Sequence, residues 1–383
     1  MVNKDKKTII GLTGNIATGK SVVRKMLQHL GAFGIDADTL SHRAMAKGAP
    51  GYEQVISEFG HHILGKDMEI DRKKLGRIVF SNPSSLKNLE TIIHPLVRQA
   101  AKFLISSSTQ EVIVIEAIKL LESPIKDFID YIWVTTSSEE IQIERLGEKR
   151  GILIKDAKEI MENQSSQDEK VKFADSIIIN DKSIEDTWNQ VQRAWFELFP
   201  EKISSLASQE KEESGRLLDG SNYSIIRATP KHAKEIFEFL ESNNINGSIF
   251  SDRDVIHTFG ERAYMLLKKQ NKLTAVIGWQ VENLVSVIDE IWLDKTFSEY
   301  ELVNELYSGI VKFSKELQAE AMLIIIDEDI AKKIPVDSGL KLKSVDIEDL
   351  KIKAWREAAK EKYKDNSEIL FKQLRMDRIM RPL

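Results

Sequence analysis

The chain has 383 residues, 42% of them hydrophobic, with 55 Lys and Arg against 60 Asp and Glu, a net charge of −5 and no cysteine. That length suits two or three packed domains rather than one. The missing cysteine excludes disulfides and thiolate metal sites, the slight negative balance speaks against a general nucleic-acid binder, and no apolar run approaches the roughly 18 residues of a membrane span.

The first residues, MVNKDKKTIIGL, hold basic side chains but no apolar signal core, so a cytoplasmic location is expected. Up to about Pro200, short β-branched runs alternate with longer helical stretches. Strands are predicted at Thr8–Leu12, Phe33–Ile35, Val112–Ile115, Tyr131–Val134 and Ser176–Ile179, and helices at Lys20–Leu30, Pro95–Ile105, Glu139–Arg150 and Asp156–Gln164. This alternation predicts an α/β fold, a parallel sheet with helices on both faces. Ser204–Asn222 is polar and lacks aromatics, as linkers do. The pattern then restarts with a strand at Tyr223–Ile226 and a helix at Pro230–Glu241. Strands at Ala263–Lys268, Thr274–Val281 and Val285–Leu293, a helix at Glu299–Leu317 and a strand at Met322–Ile326 follow, and the charged tail Ile347–Arg375 reads as mostly helical. The expected organisation is a phosphate-binding α/β domain over 1–203, a linker over 204–222, a second α/β domain over 223–346 and a charged helical extension over 347–383. Trp279, Trp292 and Trp355 suit either an interface or a core.

Gly14-Asn15-Ile16-Ala17-Thr18-Gly19-Lys20-Ser21 satisfies G-x-x-x-x-G-K-[ST], with a strand before it and the helix Lys20–Leu30, which takes in Val22, opening at its end. The glycines let successive N–H groups converge on phosphate oxygens, and the helix adds its N-terminal partial charge. Lys20 would reach the β and γ phosphates and the Ser21 hydroxyl would ligate Mg²⁺. A nucleotide is therefore the expected ligand. Asp36 and Asp38 follow at the end of the second apolar run. Read as extended chain, they face the same way at the carboxyl end of the sheet, where one could take a proton from an attacking hydroxyl or hold a metal through water; the residues alone equally suit a solvated turn or a cap, with Asp38 capping a helix from Thr39.

GLTGNIATGKS, IDADTLSHR, ILGKDMEIDRKKLGRIVF, LETIIHPLV and FADSIIIN, in that order over about residues 8–198, resemble the dephospho-coenzyme A kinase family. The resemblance implies transfer of a phosphoryl group from MgATP to the ribose 3′-hydroxyl of dephospho-CoA. It places the family's catalytic carboxylate at Asp38, beside Asp36. It puts acceptor contacts at Arg72, His94 and Arg98, lid arginines at Arg145 and Arg150, a glutamine at Gln164 and an adenine-side asparagine at Asn180. Three departures stand out. Asn15 replaces a more usual glycine, Glu116-Ala-Ile-Lys119-Leu-Leu-Glu122 replaces Asp-x-Pro-Leu-Leu, and Ser165-Ser166-Gln167 occupies a segment where an arginine is often found. Glu116 still ends its strand in an acid. Another small-molecule or nucleoside kinase, or a nucleotide-binding regulator without turnover, remains open.

Residues 223–345 resemble a GNAT-type acetyltransferase, opening on Tyr223-Ser-Ile-Ile-Arg227 and including Ser338-Gly339-Leu340. Where that family carries a glycine-rich pyrophosphate loop, this chain has Lys295-Thr-Phe-Ser-Glu-Tyr-Glu-Leu-Val, with no glycine and with Glu299 and Glu301, which would repel a pyrophosphate. A noncatalytic domain is expected, serving regulation, substrate presentation or assembly into a homo-oligomer.

Overall fold

Five short strands form a sheet in the order β2-β3-β1-β4-β5. They are β1 (Thr8–Thr13), β2 (Phe33–Asp36), β3 (Val112–Glu116), β4 (Tyr131–Thr136) and β5 (Ser176–Ile179). The pairs β2–β3, β3–β1 and β1–β4 are parallel. All five residues of β3 are buried, as a strand covered on both faces requires. This computed structural model describes residues 7–162, 164–202, 223–243, 251–260, 262–282, 284–294, 299–331 and 342–375.

Nine helices among the described residues connect these strands or follow the last. They are α1 (Lys20–His29), α2 (Ala37–Ala44), α3 (Tyr52–Phe59), α4 (Arg72–Ser81), α5 (Pro83–Ser107), α6 (Glu139–Arg150), α7 (Ile154–Glu162), α8 (Gln167–Val171) and α9 (Ile184–Leu198). Their starts follow capping chemistry. Asp36, Asp71, Asn82, Ser138 and Ser183 each accept backbone N–H bonds of the turn they open. Helix α5 was expected from Pro95, but it starts at Pro83 and carries Pro95 inside. Asn82 accepts from Ser84 and Ser85 at 2.9 and 3.4 Å, and Pro83 suits the first helical position, so the earlier signal prevails.

Compactness divides the described residues into one unit of 7–20 with 32–177 and another of 21–31 with 178–375. The second unit holds a seven-stranded sheet in which β11 (Lys343–Ser344) and β12 (Ser367–Gln373) lie at one edge, in the order β11-β12-β10-β9-β8-β7-β6. Strands β6 (Tyr223–Arg227), β7 (Ala263–Lys269), β8 (Lys272–Glu282) and β9 (Val285–Leu293) are antiparallel neighbours, while β10 (Ala321–Asp327) runs parallel to β9. The expected order of three strands, a long helix (Glu299–Glu316) and a strand is present. Trp279 and Trp355 are buried and Trp292 stacks on Tyr264 with ring centroids 6.0 Å apart, so all three belong to the core. The linker 204–222, Lys295–Ser298 and Ser338–Leu340 lie outside the described residues. No described helix is long and apolar enough to cross a membrane.

The tail read as a helical extension is corrected. It is helical over Lys353–Lys362, but Ser367–Gln373 is β12, which lies between β10 and β11 (Lys343–Ser344) and pairs antiparallel with all of β10. Asn366, at φ +69°, makes the turn into it, and Ile369 and Leu370 fill the core. Leu370→Ala should therefore cost about 2–5 kcal/mol in urea unfolding of the second unit; a dispensable tail would show no change.

Candidate active site

The phosphate loop leaves β1 at Thr13 and turns at once. Gly14 has φ +150°, and a Cβ there would run into the Thr135 carbonyl and hydroxyl on β4. Gly19 at φ +90° and Ala17 at φ +60° complete the curl. The loop closes on the carbonyl of Asn15, which accepts the Thr18 hydroxyl at 2.9 Å and the Lys20 ammonium at 3.0 Å. The Thr18 and Thr135 hydroxyls are 2.8 Å apart, tying the loop to β4.

Helices α6 to α8 reach the same loop. Arg145 donates to the Ala17 carbonyl and to the Ser137 hydroxyl, both at 3.1 Å. Gln164 accepts from the Ile16 N–H at 2.9 Å. Ile16, Leu146 and Ala157 form a small buried cluster against which Ala17, Ile143 and Ile160 pack. The loop's apolar positions thus pack against α6 and α7, a role that spacing alone did not reveal. Sequence reasoning also passed over Lys170. It is 2% exposed, and its ammonium donates to Asn15 Oδ1 at 2.7 Å. Burial lowers its pKa, and the Lys20 charge adds to that, while Glu122 and Asp38 oppose it. In a run reading QDEK a lysine looks like solvated surface, and only tertiary packing turns it inward. Arg150 ends α6, and its side chain lies outside the described residues.

The acid pair departs from the extended geometry expected of it. Asp36 ends β2 and caps α2, accepting from Thr39 N at 2.9 Å, while Asp38 is already in the first helical turn. Aspartate is a strong helix cap, and capping ends the strand there. The Asp38 carboxylate accepts from the Ile118 N–H at 3.3 Å. Its pKa is pushed up to about 6, first by burial and then by Asp36, with Glu116 adding to the rise; the Ile118 bond and the Lys20 charge oppose it. Glu116 is buried at the end of β3, in register with Asp36 and with Leu12.

Two departures from the family pattern meet. The Ser165 hydroxyl donates to Glu122 at 3.2 Å, so the altered segment after β3 and the altered one before α8 brace each other. Ile118 of the first segment holds both Asp38 and, through its carbonyl, the Thr13 hydroxyl at 3.1 Å.

On the acceptor side, Arg72 opens α4 and places its guanidinium 3.1 Å from His42 Nδ1. A guanidinium only donates, so Nδ1 accepts and the ring proton sits on Nε2. Burial, then the Arg72 charge, lowers the His42 pKa to about 4, keeping it neutral. His42 stands one turn beyond Asp38 on α2, and sequence reasoning passed over it. His94 and Arg98 share a face of α5. Arg98 is engaged locally, bonding the Pro124 carbonyl at 3.0 Å and Asp127 at 2.7 Å and lying 4.9 Å over the Phe128 ring. In the second unit, Asn180 is buried and accepts from the Thr187 hydroxyl of α9 at 2.9 Å.

No three His, Cys or acidic side chains converge as a metal cage among the described residues. Asp36 and Glu116 nevertheless end neighbouring strands in register, and Asp38 follows in the first turn of α2. Mg²⁺ suits such a set, because it takes few protein oxygens and keeps phosphate and water ligands.

Residues 8–186 match the family model described as dephospho-CoA kinase. A dephospho-CoA kinase from Geobacter metallireducens is 38% identical over 192 residues, which are 49% of this chain and 96% of that protein. One from Carboxydothermus hydrogenoformans is 43% identical over 187 residues, 48% of this chain and 90% of that protein. Among solved structures, TT1252 from Thermus thermophilus is similar at a TM-score of 0.46 and 28% identity, covering 50% of this chain and 97% of its own. A GNAT-family acetyltransferase from Staphylococcus aureus Mu50 is similar at a TM-score of 0.31 and 14% identity, covering 40% of this chain and 99% of its own.

The raised Asp38 pKa has a signed consequence for stability. A carboxyl whose pKa is higher folded than unfolded favours folding below the unfolded value of about 4, and that contribution is lost as pH rises through about 6. Asp38→Asn should therefore raise the Tm of the ligand-free protein at pH 8 and leave it little changed at pH 4, as read by scanning calorimetry at both values. A lower Tm at pH 8 would contradict this.

Proposed function

Because residues 8–186 make this chain a member of the dephospho-CoA kinase family, we propose that it transfers the γ-phosphoryl group of ATP to the ribose 3′-hydroxyl of dephospho-CoA, giving CoA and ADP. The observation that carries the reading is the half-buried Asp38, held by Ile118 and within the electrostatic reach of the phosphate-loop lysine.

The chemistry is an in-line displacement in which positioning and charge neutralisation dominate. The acceptor oxygen forms a bond to the γ-phosphorus as the bond to the β-bridging oxygen breaks. The hydroxyl proton passes to Asp38, whose pKa of about 6 leaves it mostly ionised at neutral pH yet basic enough to accept. Lys20 exchanges the Asn15 carbonyl for β and γ oxygens, and Gly14 to Val22 supply backbone N–H groups. Arg145, already turned to the loop at Ala17, serves the charge that develops on the transferred group. Arg150 is assigned to the same lid. Mg²⁺, held by Ser21 with phosphate oxygens and water, would neutralise triphosphate charge.

For the acceptor, we assign Arg72 and the neutral His42 to the phosphate or ribose of dephospho-CoA, with His94 beside them. Arg98 would hold the loop after β3 through Asp127, and Asn180 would face adenine. We place the reaction in the cytoplasm. The second domain is read as noncatalytic, since the stretch from Lys295 lacks glycines and carries Glu299 and Glu301.

Coupled ADP release tests the assignment, run with dephospho-CoA, with nucleosides and with no acceptor. Turnover is expected with dephospho-CoA alone, and turnover with nucleosides would refute it. Asp38→Asn should lower kcat roughly 10²–10⁴-fold with little change in ATP affinity. A near-normal kcat would mean that another carboxylate takes the proton.

A further inference from the structure

The phosphate loop faces a second lysine. A buried ammonium is costly unless its charge and its three donors are used. Lys170 is 2% exposed, yet its ammonium makes one hydrogen bond among the described residues, to the side chain of Asn15 at 2.7 Å. The charges that act on it are those of Glu122, Lys20 and Asp38. Among the described residues neither acid forms an ion pair with it. Lys170 therefore leaves two donors and most of a positive charge beside the loop that Lys20 serves. Its short helix α8 is fixed by Ser166, whose hydroxyl accepts from Asp168 N at 3.2 Å. Asn15, the loop position where glycine is more usual, supplies the side chain that Lys170 grips.

The Asn15 carbonyl is the group that Lys20 holds and must release in order to reach phosphate oxygens. Once Lys20 leaves, the Thr18 hydroxyl is the remaining side-chain donor to that carbonyl. A residue tethered from outside the loop keeps its position through that exchange.

We propose that Lys170 is a positioning residue for the phosphoryl donor: through the Asn15 side chain it holds the loop in its phosphate-binding curl, and its charge favours the bound triphosphate. This rests on the reading of the loop as an ATP site, not on the identity of the acceptor. The test is direct nucleotide titration without acceptor, using ATP and AMP with Lys170→Met, Lys170→Arg, Asn15→Gly and the double variant Asn15→Gly with Lys170→Met. Losing a charge-assisted bond predicts that Lys170→Met weakens ATP about 10-fold or more. AMP, which lacks the β and γ phosphates, should change less than about 2-fold on the same argument. Lys170→Arg should recover most of the affinity. Asn15→Gly should weaken ATP less than Lys170→Met, and the double variant should be no worse than Lys170→Met, because both act through one contact. A folded Lys170→Met with unchanged ATP affinity, or equal losses for ATP and AMP, would overturn the proposal. Should Lys170→Met not fold, unchanged ATP affinity in Asn15→Gly would overturn it. If ATP binds as expected but dephospho-CoA is not phosphorylated, the acceptor assignment fails and this inference stands.

Discussion

The first unit is organised around a separation of opposite charges in a corner that excludes most water. Asp36, Asp38 and Glu116 end or follow the strands on one side, and Lys20, Lys170 and Arg145 converge on the loop from the other. Burial first, and then repulsion from Asp36, push Asp38 up to about 6 despite a backbone donor and a nearby lysine. Such a corner is unfavourable for folding alone. It becomes useful when a polyphosphate meets the cations and a hydroxyl meets the acids. The tight contact of Gly14 with Thr135 and the apolar grip on Ile16 hold it in place.

Much of this was legible from spacing. The loop motif fixed Lys20 and Ser21, and the alternation of strands and helices gave the parallel sheet, because both signals are local in sequence. Asp38 was identified through the family pattern while its geometry was misread, since two aspartates two residues apart both suit a helix cap and it is Asp36 that takes the position. Lys170, His42 and the pairing of Arg98 with Asp127 were hidden for another reason. Each depends on partners far along the chain, and each side chain belongs to a type that is ordinarily solvated.

The second unit teaches the same lesson in reverse. Its strands and long helix were read nearly to the residue, whereas β12 was taken for helix because charged residues surround the apolar Ile369-Leu370-Phe371. The signal that would have found it is the turn at Asp365-Asn366, where a left-handed residue separates the helix Lys353–Lys362 from the strand.

Strand β1, which launches the phosphate loop, lies at the centre of its sheet, and both its neighbours come from far along the chain: Thr8 pairs with Val112 and Ile10 with Tyr131. Contacts of such sequence separation close slowly, since the chain must order a long loop before any pairing rewards it. The most sequence-local feature of the first unit, an eight-residue motif, is therefore held in its curl by pairings remote in sequence, so a change that loosens β3 or β4 reaches nucleotide binding without touching a phosphate.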